Sequence, residues 1–204
     1  ECIQGVGGLD QSTTSFYKGL ELLCRKYQAV FIVDEVQSGF GRTGDFFAFQ
    51  KHDICPDIIS MAKGMGNGFP IGGILIHPKI KASHGLLGTT FGGNHLACAA
   101  SLAVLEVLKE ERLLENARVI SAYFSEKAAR IPEIKKIKGR GLMLGLEFDF
   151  PIAALRKELL FKHHIFTGSA KNPNLLRILP PLTIKRQHVD QFFEALQRIF
   201  KINR

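Results

Sequence analysis

The stretch AVFIVDEV, residues 29–36, decides the fold. Five apolar residues in a row, with β-branched and aromatic side chains, end on two acids, Asp34 and Glu35. A continuous apolar run of this length is what a strand needs when both faces of a parallel sheet are covered. Two further runs, DIISMA (57–62) and IGGILI (71–76), read as buried strands of the same layer. Helical patterns flank them. STTSFYKGLELLCRKY (12–27) opens on Ser/Thr capping candidates and spaces Phe16, Leu20, Leu23 and Tyr27 as a helical stripe. NHLACAASLAVLEVLKEE (94–111) is a strong helix with Asn94 as its N-cap, and LLENARVISAYFSEKAARI follows at once. Strand and helix alternate, so an α/β layer with a mainly parallel sheet is expected over residues 1–110.

The texture then changes. IKKIKGRGLMLGLEFDF (134–150) reads as a pair of strands with glycine kinks, and PIAALRKELLFKHH (151–164) as a helix with proline at its first position. LLRILPPLTI (175–184) is a strand ended by two prolines, and KRQHVDQFFEALQRIF (185–200) is a closing helix. Residues 111–204 are therefore expected to form a smaller α+β domain. Internal repeats and low-complexity segments are absent. The chain starts at ECIQGVGG without methionine and reads as a piece of a longer protein.

Composition narrows the function classes. Apolar content of 46% and charged content of 23% are those of a globular chain with a real core. The formal charge is +8, but the cations are scattered, tryptophan is absent, and no aromatic residues interleave with the one basic cluster, KKIKGR (135–140). Nucleic acid is not the expected partner; attraction of small anions accounts for the charge. The four cysteines lack C-x-x-C spacing, which points to reduced, mostly buried thiols in a cytoplasmic protein. No membrane span or signal peptide is visible. The histidines show no metal-ligand spacing, so no metal site is expected.

The chemistry gathers at strand ends. Ligands of parallel α/β sheets sit beyond the carboxyl ends of the strands. Asp34 closes AVFIV, Gln37 follows it, and Lys63 stands just past DIISMA, at the mouth of the glycine-rich GMGNGFPIGG. A lysine placed after Ile59, Met61 and Ala62 is expected to be at least partly buried. Burial penalises the ammonium form and makes the amine available as a nucleophile. A lysine whose stem packs while its head reaches water is the competing reading. A carboxylate, an amide and a deprotonatable lysine form a set suited to imine chemistry, including that of pyridoxal phosphate enzymes. The glycine run lacks the G-x-G-x-x-G order opening a helix, and Phe69-Pro70 interrupts it, so it is not a dinucleotide loop.

Four linked segments make the set specific. VDEVQSGFGRTG (33–44), AKGMGNGFPIGG (62–73), GTTFGGN (88–94) and LRILPPLTI (176–184) stand in the order found in the class III, ornithine-type aminotransferases. The resemblance runs through nearly the whole chain and is closest to the acyl-ornithine branch. It implies the type I fold of pyridoxal 5'-phosphate-dependent transferases, with part of the large domain followed by the small carboxyl-terminal domain. By the same resemblance, Lys63 matches the lysine joined covalently to the cofactor, and Asp34 the acid that keeps the pyridine nitrogen protonated. Gln37 matches the residue beside the phenolic oxygen. Thr90 matches the threonine that binds the cofactor phosphate of the neighbouring subunit, which implies a homodimer. Thr89 lies beside the substrate, and Arg177 matches the arginine that grips a substrate carboxylate. Taken singly, Thr90 could be a loop hydroxyl, Arg177 a surface cation and Asp34 a capping acid.

The implied reaction moves the terminal amino group of an N-acyl-ornithine, acetyl or succinyl, to 2-oxoglutarate in arginine biosynthesis. Another omega-aminotransferase, an aminomutase of the same fold, or a non-catalytic fragment that only folds or dimerises are the alternatives. Departures from the family pattern bear on this choice. Cys2 replaces a proline, and His95 stands where proline is usual. Val6 replaces the acid that, in ornithine aminotransferase, pairs with the arginine matching Arg177; its loss favours acylated over free ornithine. Family chains are about twice as long, and their amino-terminal half supplies a phosphate-binding glycine turn and a ring-stacking aromatic. A species limited to residues 1–204 is therefore expected to bind the cofactor poorly and to be inactive alone.

Overall fold

The computed structural model describes residues 1–202 apart from 82 and 87. The chain divides into two compact units, Glu1–Cys2 with Ser12–Leu113 and Ile3–Gln11 with Leu114–Arg204.

The first unit begins with helix α1 (Thr14–Lys26), capped where Thr13 accepts from the Phe16 amide. A three-stranded sheet follows, β1 (Ile32–Asp34), β2 (Ile58–Met61) and β3 (Gly73–Ile76), in the order β1-β2-β3. β1 and β2 run parallel with Asp34 opposite Ser60, whereas β3 is antiparallel to β2. Helix α2 (His95–Glu110) is capped as its sequence predicts, Asn94 accepting from the Ala97 amide at 3.0 Å.

The burial of this unit departs from the sequence reading in two ways. The apolar strands were expected to be covered on both faces, yet in β1 only Val33 is buried and Ile32 is 57% exposed. β3 exposes Ile74, Leu75 and Ile76. Apolar composition states what a strand can bury; in β2, Ile58, Ile59 and Ser60 are half-buried and only Met61 is buried. On α1 the exposed side carries Phe16, Leu23 and Tyr27, while Tyr17 and Glu21 face inward. Polar anchoring outweighs the stripe there. The Tyr17 hydroxyl donates to Cys2 O at 2.8 Å and accepts from the Ser12 amide at 3.0 Å. Glu21 accepts from Arg25 and from the Cys55 amide. The thiols also differ from expectation, for Cys2 is buried but Cys55 and Cys98 are exposed.

The second unit holds α3 (Leu113–Ala128, its first residue in the first unit), β4 (Lys136–Arg140), β5 (Met143–Glu147), α4 (Ala153–His163), β6 (Gly168–Ser169), β7 (Leu175–Ile178) and α5 (Arg186–Ile202). The sheet is antiparallel throughout, in the order β4-β5-β7-β6. Pro151 lies just before α4 rather than inside it. Its core joins Ala117 and Phe124 of α3, Leu144 and Leu146 of β5, Leu159 of α4 and Leu196 of α5. Segment Ile3–Gln11 packs into this unit through Ile3 and Leu9 against Met143, and Asp10 pairs with Lys138 at 3.1 Å. No helix among the described residues is long and apolar enough to cross a membrane.

Asp57 pins the base of the first sheet. Its carboxylate accepts from the Phe31 amide at 2.9 Å and meets the Lys79 ammonium at 2.5 Å. The Lys79 contact first, then the Phe31 amide, hold this carboxyl below the ordinary aspartate value of 3.8. A depressed folded value means that the stability it confers is complete above 3.8 and is lost as pH falls through the lower folded value. Urea midpoints measured between about pH 5 and pH 3 should therefore fall more steeply in the parent chain than in Asp57→Asn; equal slopes would contradict the pin.

Candidate active site

Strand alternation turns Asp34 and Glu35 to opposite sides. Glu35 is fully buried and Asp34 exposed. The Glu35 carboxylate accepts from Ser38 Oγ at 2.6 Å, the Ala48 amide at 3.0 Å and the Phe49 amide at 2.9 Å. Its own amide donates to Ser60 O at 3.0 Å, and its carbonyl accepts from the Gly39 amide at 3.0 Å. Glu35 thus ties the loop 36–49 to the end of β1 through its carboxylate and to β2 through its backbone amide. Phe40, Phe46 and Phe47 fill the loop, with ring centroids 5.2 Å apart in the first pair and 4.8 Å in the second. Sequence reasoning assigned no role to Glu35. The signal was present, since two acids in succession on a strand cannot both face water.

Asp34 and Lys63 come to the same end of the parallel pair. Asp34 closes β1 opposite Ser60, and Lys63 opens a single 3-10 turn two residues beyond β2. Asp34 Oδ1 accepts from the Val36 amide at 2.8 Å, which fixes the carboxylate and leaves its second oxygen available. Gln37 is half-buried in the turn that follows. The expected burial of Lys63 is not observed; its side chain is exposed. On its open side the 3-10 turn faces a cavity bounded by the loop from Asn67 to Ile71 and by Arg42. Its backbone sits at φ 47°, in the left-handed region that a non-glycine residue occupies at a cost of roughly 1–3 kcal/mol. Phe40, whose Cβ would lie 3.3 Å from a Cβ on Gly64, is left-handed too, at φ 55°. Strain of this kind, held by packing, is what a site pays to aim a side chain.

Lys63 lines a cavity of about 470 Å³ with Arg42, Gly64, Asn67 and the segment Gly68–Ile71. Burial pulls the Arg42 guanidinium below its ordinary value, and no lining residue is acidic. An anionic group is therefore the favoured occupant. Lys63, which has no ion pair among the described residues, and Arg42 give the cavity the cations that a phosphate-bearing cofactor needs, whereas Asp34 and Gln37 are not among its lining residues. Thr89 and Thr90 are exposed in the segment before α2 and do not line this cavity. Arg177 lies on β7 in the other unit, opposite Gly145 of β5 and Gly168 of β6. Its Nε and Nη1 are sequestered from solvent without a hydrogen-bond partner among the described residues. Among those residues, no three of His, Cys, Asp and Glu converge as a metal site requires.

The comparisons agree with the motifs. The Aminotransferase class-III family matches residues 1–200. Acetylornithine aminotransferase of Aquifex aeolicus is 41% identical over 98% of this chain and 52% of its own length. The Bacillus subtilis enzyme of the same name is 38% identical, again over 98% and 52%. Among solved structures, ornithine aminotransferase from Toxoplasma gondii superposes with a TM-score of 0.88 at 29% identity, over 98% of this chain and 50% of that one. The chain belongs to the class III aminotransferases and has their type I fold. It spans about half the length of the curated relatives it matches.

Gly66 sets the wall of the Lys63 cavity. A Cβ there would lie 2.3 Å from Phe69 O and 2.6 Å from Ile71 Cγ2, so backbone must move. Gly66→Ala should cost about 1–3 kcal/mol and open the loop, read as faster tryptic cleavage after Lys63. Unchanged cleavage and an unchanged urea midpoint would contradict the packing described.

Proposed function

We propose, from membership of this family, that the polypeptide carrying this chain transfers the terminal amino group of an N-acyl-ornithine to 2-oxoglutarate, a step of arginine biosynthesis. The observation that carries the reading is the placement of Asp34 and Lys63 at one end of a parallel strand pair, each in a segment of the family pattern. Identity to acetylornithine aminotransferases favours the acylated donor over free ornithine.

In this reading Lys63 holds the cofactor covalently and afterwards carries the proton to and from the reacting carbon of the substrate. Asp34, with one oxygen fixed by the Val36 amide, would offer its other oxygen to the pyridine nitrogen. Gln37 would stand beside the phenolic oxygen, Thr90 would hold the phosphate across a homodimer interface, and Thr89 would lie against the substrate. Pyridoxal phosphate supplies the electron sink when bound. Arg177 binds the carboxylate common to donor and acceptor, so one guanidinium serves both half-reactions. Its unsatisfied Nε and Nη1 support that role, because a buried charged donor without a partner costs about 1–3 kcal/mol, which a bidentate carboxylate recovers. Val6 belongs to the same unit as Arg177 and is 65% exposed, and it offers no charge to compete. A second reading, another omega-transaminase specificity, is favoured by the likeness to the (S)-enantioselective enzyme of Thermomicrobium roseum, with TM-score 0.84 and 31% identity. Donor profiling separates the two.

Borohydride reduction of the cofactor-loaded polypeptide should fix the label on the peptide containing Lys63, and Lys63→Ala should abolish both label and transamination. Labelling of any other lysine would overturn the assignment. Arg177→Lys should lower kcat/KM for 2-oxoglutarate and for the donor alike, on the order of tenfold or more, since a point charge cannot replace a planar fork. Val6→Glu should shift preference toward free ornithine; an unchanged donor ratio would contradict the pairing argument.

A further inference from the structure

The loop after Lys63 carries the pair Asn67-Gly68, and Asn67 is the only asparagine of the chain that glycine follows. Both residues are exposed. Their backbones are left-handed, Asn67 at φ 46° and Gly68 at φ 107°, which asparagine and glycine tolerate best. The chain is tied on either side of the peptide bond between them. The Asn67 amide donates to Lys63 O at 3.2 Å, and the Phe69 amide donates to Gly66 O at 3.0 Å. The Gly68 amide has no acceptor among the described residues, and the Asn67 carboxamide has no partner there. A Cβ on Gly68 would meet nothing within 4 Å, so its nitrogen has room to turn toward the Asn67 side chain.

Each of the other described asparagines is held at its side chain or lacks a free amide after it. Asn94 Oδ1 accepts from the Ala97 amide at 3.0 Å, and its Nδ2 donates to Phe91 O at 2.9 Å. Asn116 Nδ2 donates to Leu182 O at 2.6 Å and to Ile184 O at 3.0 Å. Asn172 donates to Glu147 and accepts from the Asn174 amide, and it precedes Pro173, which has no N–H. After Asn174, the Leu175 amide is committed to Asn172 O at 3.2 Å. Among the described residues, only Asn67 joins an unbonded carboxamide to an unbonded following amide.

We propose that Asn67-Gly68 is a site of spontaneous deamidation, which places a carboxylate on the wall of the Lys63 cavity. The Gly68 nitrogen attacks Asn67 Cγ, forming a C–N bond as the carboxamide C–N bond breaks. Ammonia leaves with the proton that the Gly68 amide gives up. Water then opens the cyclic imide at either carbonyl, giving an aspartyl or an isoaspartyl residue at position 67 whose carboxyl ionises at neutral pH. The cavity that Asn67 lines holds Lys63 and Arg42 and no acidic residue. A carboxylate on its wall competes with any other anion for those cations. Affinity of the cavity for phosphate should fall about two- to fivefold, the strength of an ion pair in contact with solvent. Neither step rests on the transaminase reading.

Peptide mass spectrometry of the chain held at mildly acidic and at mildly alkaline pH tests the modification. The exchange of NH2 for OH should build up in the peptide containing Asn67, faster at alkaline pH, where the attacking amide loses its proton more readily. Nearly all deamidated material should carry the change there, as separable isoaspartyl and aspartyl products. Asn67→Gly should lose the signal while keeping the left-handed turn. No exchange at Asn67, equal exchange at Asn94 and Asn116, or an aspartyl product alone would overturn the proposal. The consequence is read by titrating inorganic phosphate against the parent chain and Asn67→Asp, following the Gly64 and Gly68 amide resonances. Aspartate keeps the shape of asparagine and visits left-handed backbone as readily, so a loss of affinity of about two- to fivefold reports the charge alone. Equal affinities, or a parent chain that leaves phosphate unbound, would overturn the consequence.

Discussion

The buried carboxylate of Glu35 is the fixed point of the first unit. A carboxyl group with no exposure is tolerated when its oxygens are hydrogen-bonded, and here Ser38, Ala48 and Phe49 each donate to it. The same residue donates its amide to Ser60 O, so the carboxyl ends of β1 and β2 and the returning loop form one hydrogen-bonded assembly. Everything proposed for catalysis in this unit follows from that anchor. Alternation sends Asp34 outward because Glu35 points inward, and the Ser60 register fixes where β2 ends and the Lys63 turn begins.

The two units carry complementary parts of the proposed chemistry. One presents an amine on a strained turn beside a carboxylate. The other presents a guanidinium whose Nε and Nη1 have no hydrogen-bond partner among the described residues. In both, the structure keeps a polar group available at an energetic cost, by left-handed backbone at Lys63 and by unsatisfied burial at Arg177. Groups that serve folding look different. Asp57, Glu21 and Asp190 each meet their partners within their own unit.

Much of this was legible in the residues. Strand ends were readable from where apolar runs meet acids, the N-cap of α2 from Asn94, and the second sheet from its glycine-punctuated strands. What was not legible has one physical origin: composition reports the surface an element can bury, not which neighbour buries it. The strand at Ile32 is apolar enough for two covered faces and has one. Helix α1 has an apolar stripe, yet its inward side was chosen by the hydroxyl of Tyr17 and the carboxylate of Glu21, whose partners Cys2 and Cys55 are remote in sequence. Lys63 follows an apolar strand but stands exposed on its turn. The attachment of Ile3–Gln11 to the second unit carried no sequence signal, because it rests on contacts of Ile3 and Leu9 with Met143 far along the chain.

The central claim is that Glu35, through hydrogen bonds rather than through burial of Lys63, holds the strand ends and their loop in place. Amide hydrogen exchange of Glu35→Gln measures it most directly. An amide NH2 replaces one accepting oxygen and turns a donor toward donors, so protection at the Ala48 and Phe49 amides should fall by roughly tenfold or more, with the loop 36–49 following. The β5 amides of the second unit should keep their protection. Unchanged protection at Ala48 and Phe49 would contradict the account.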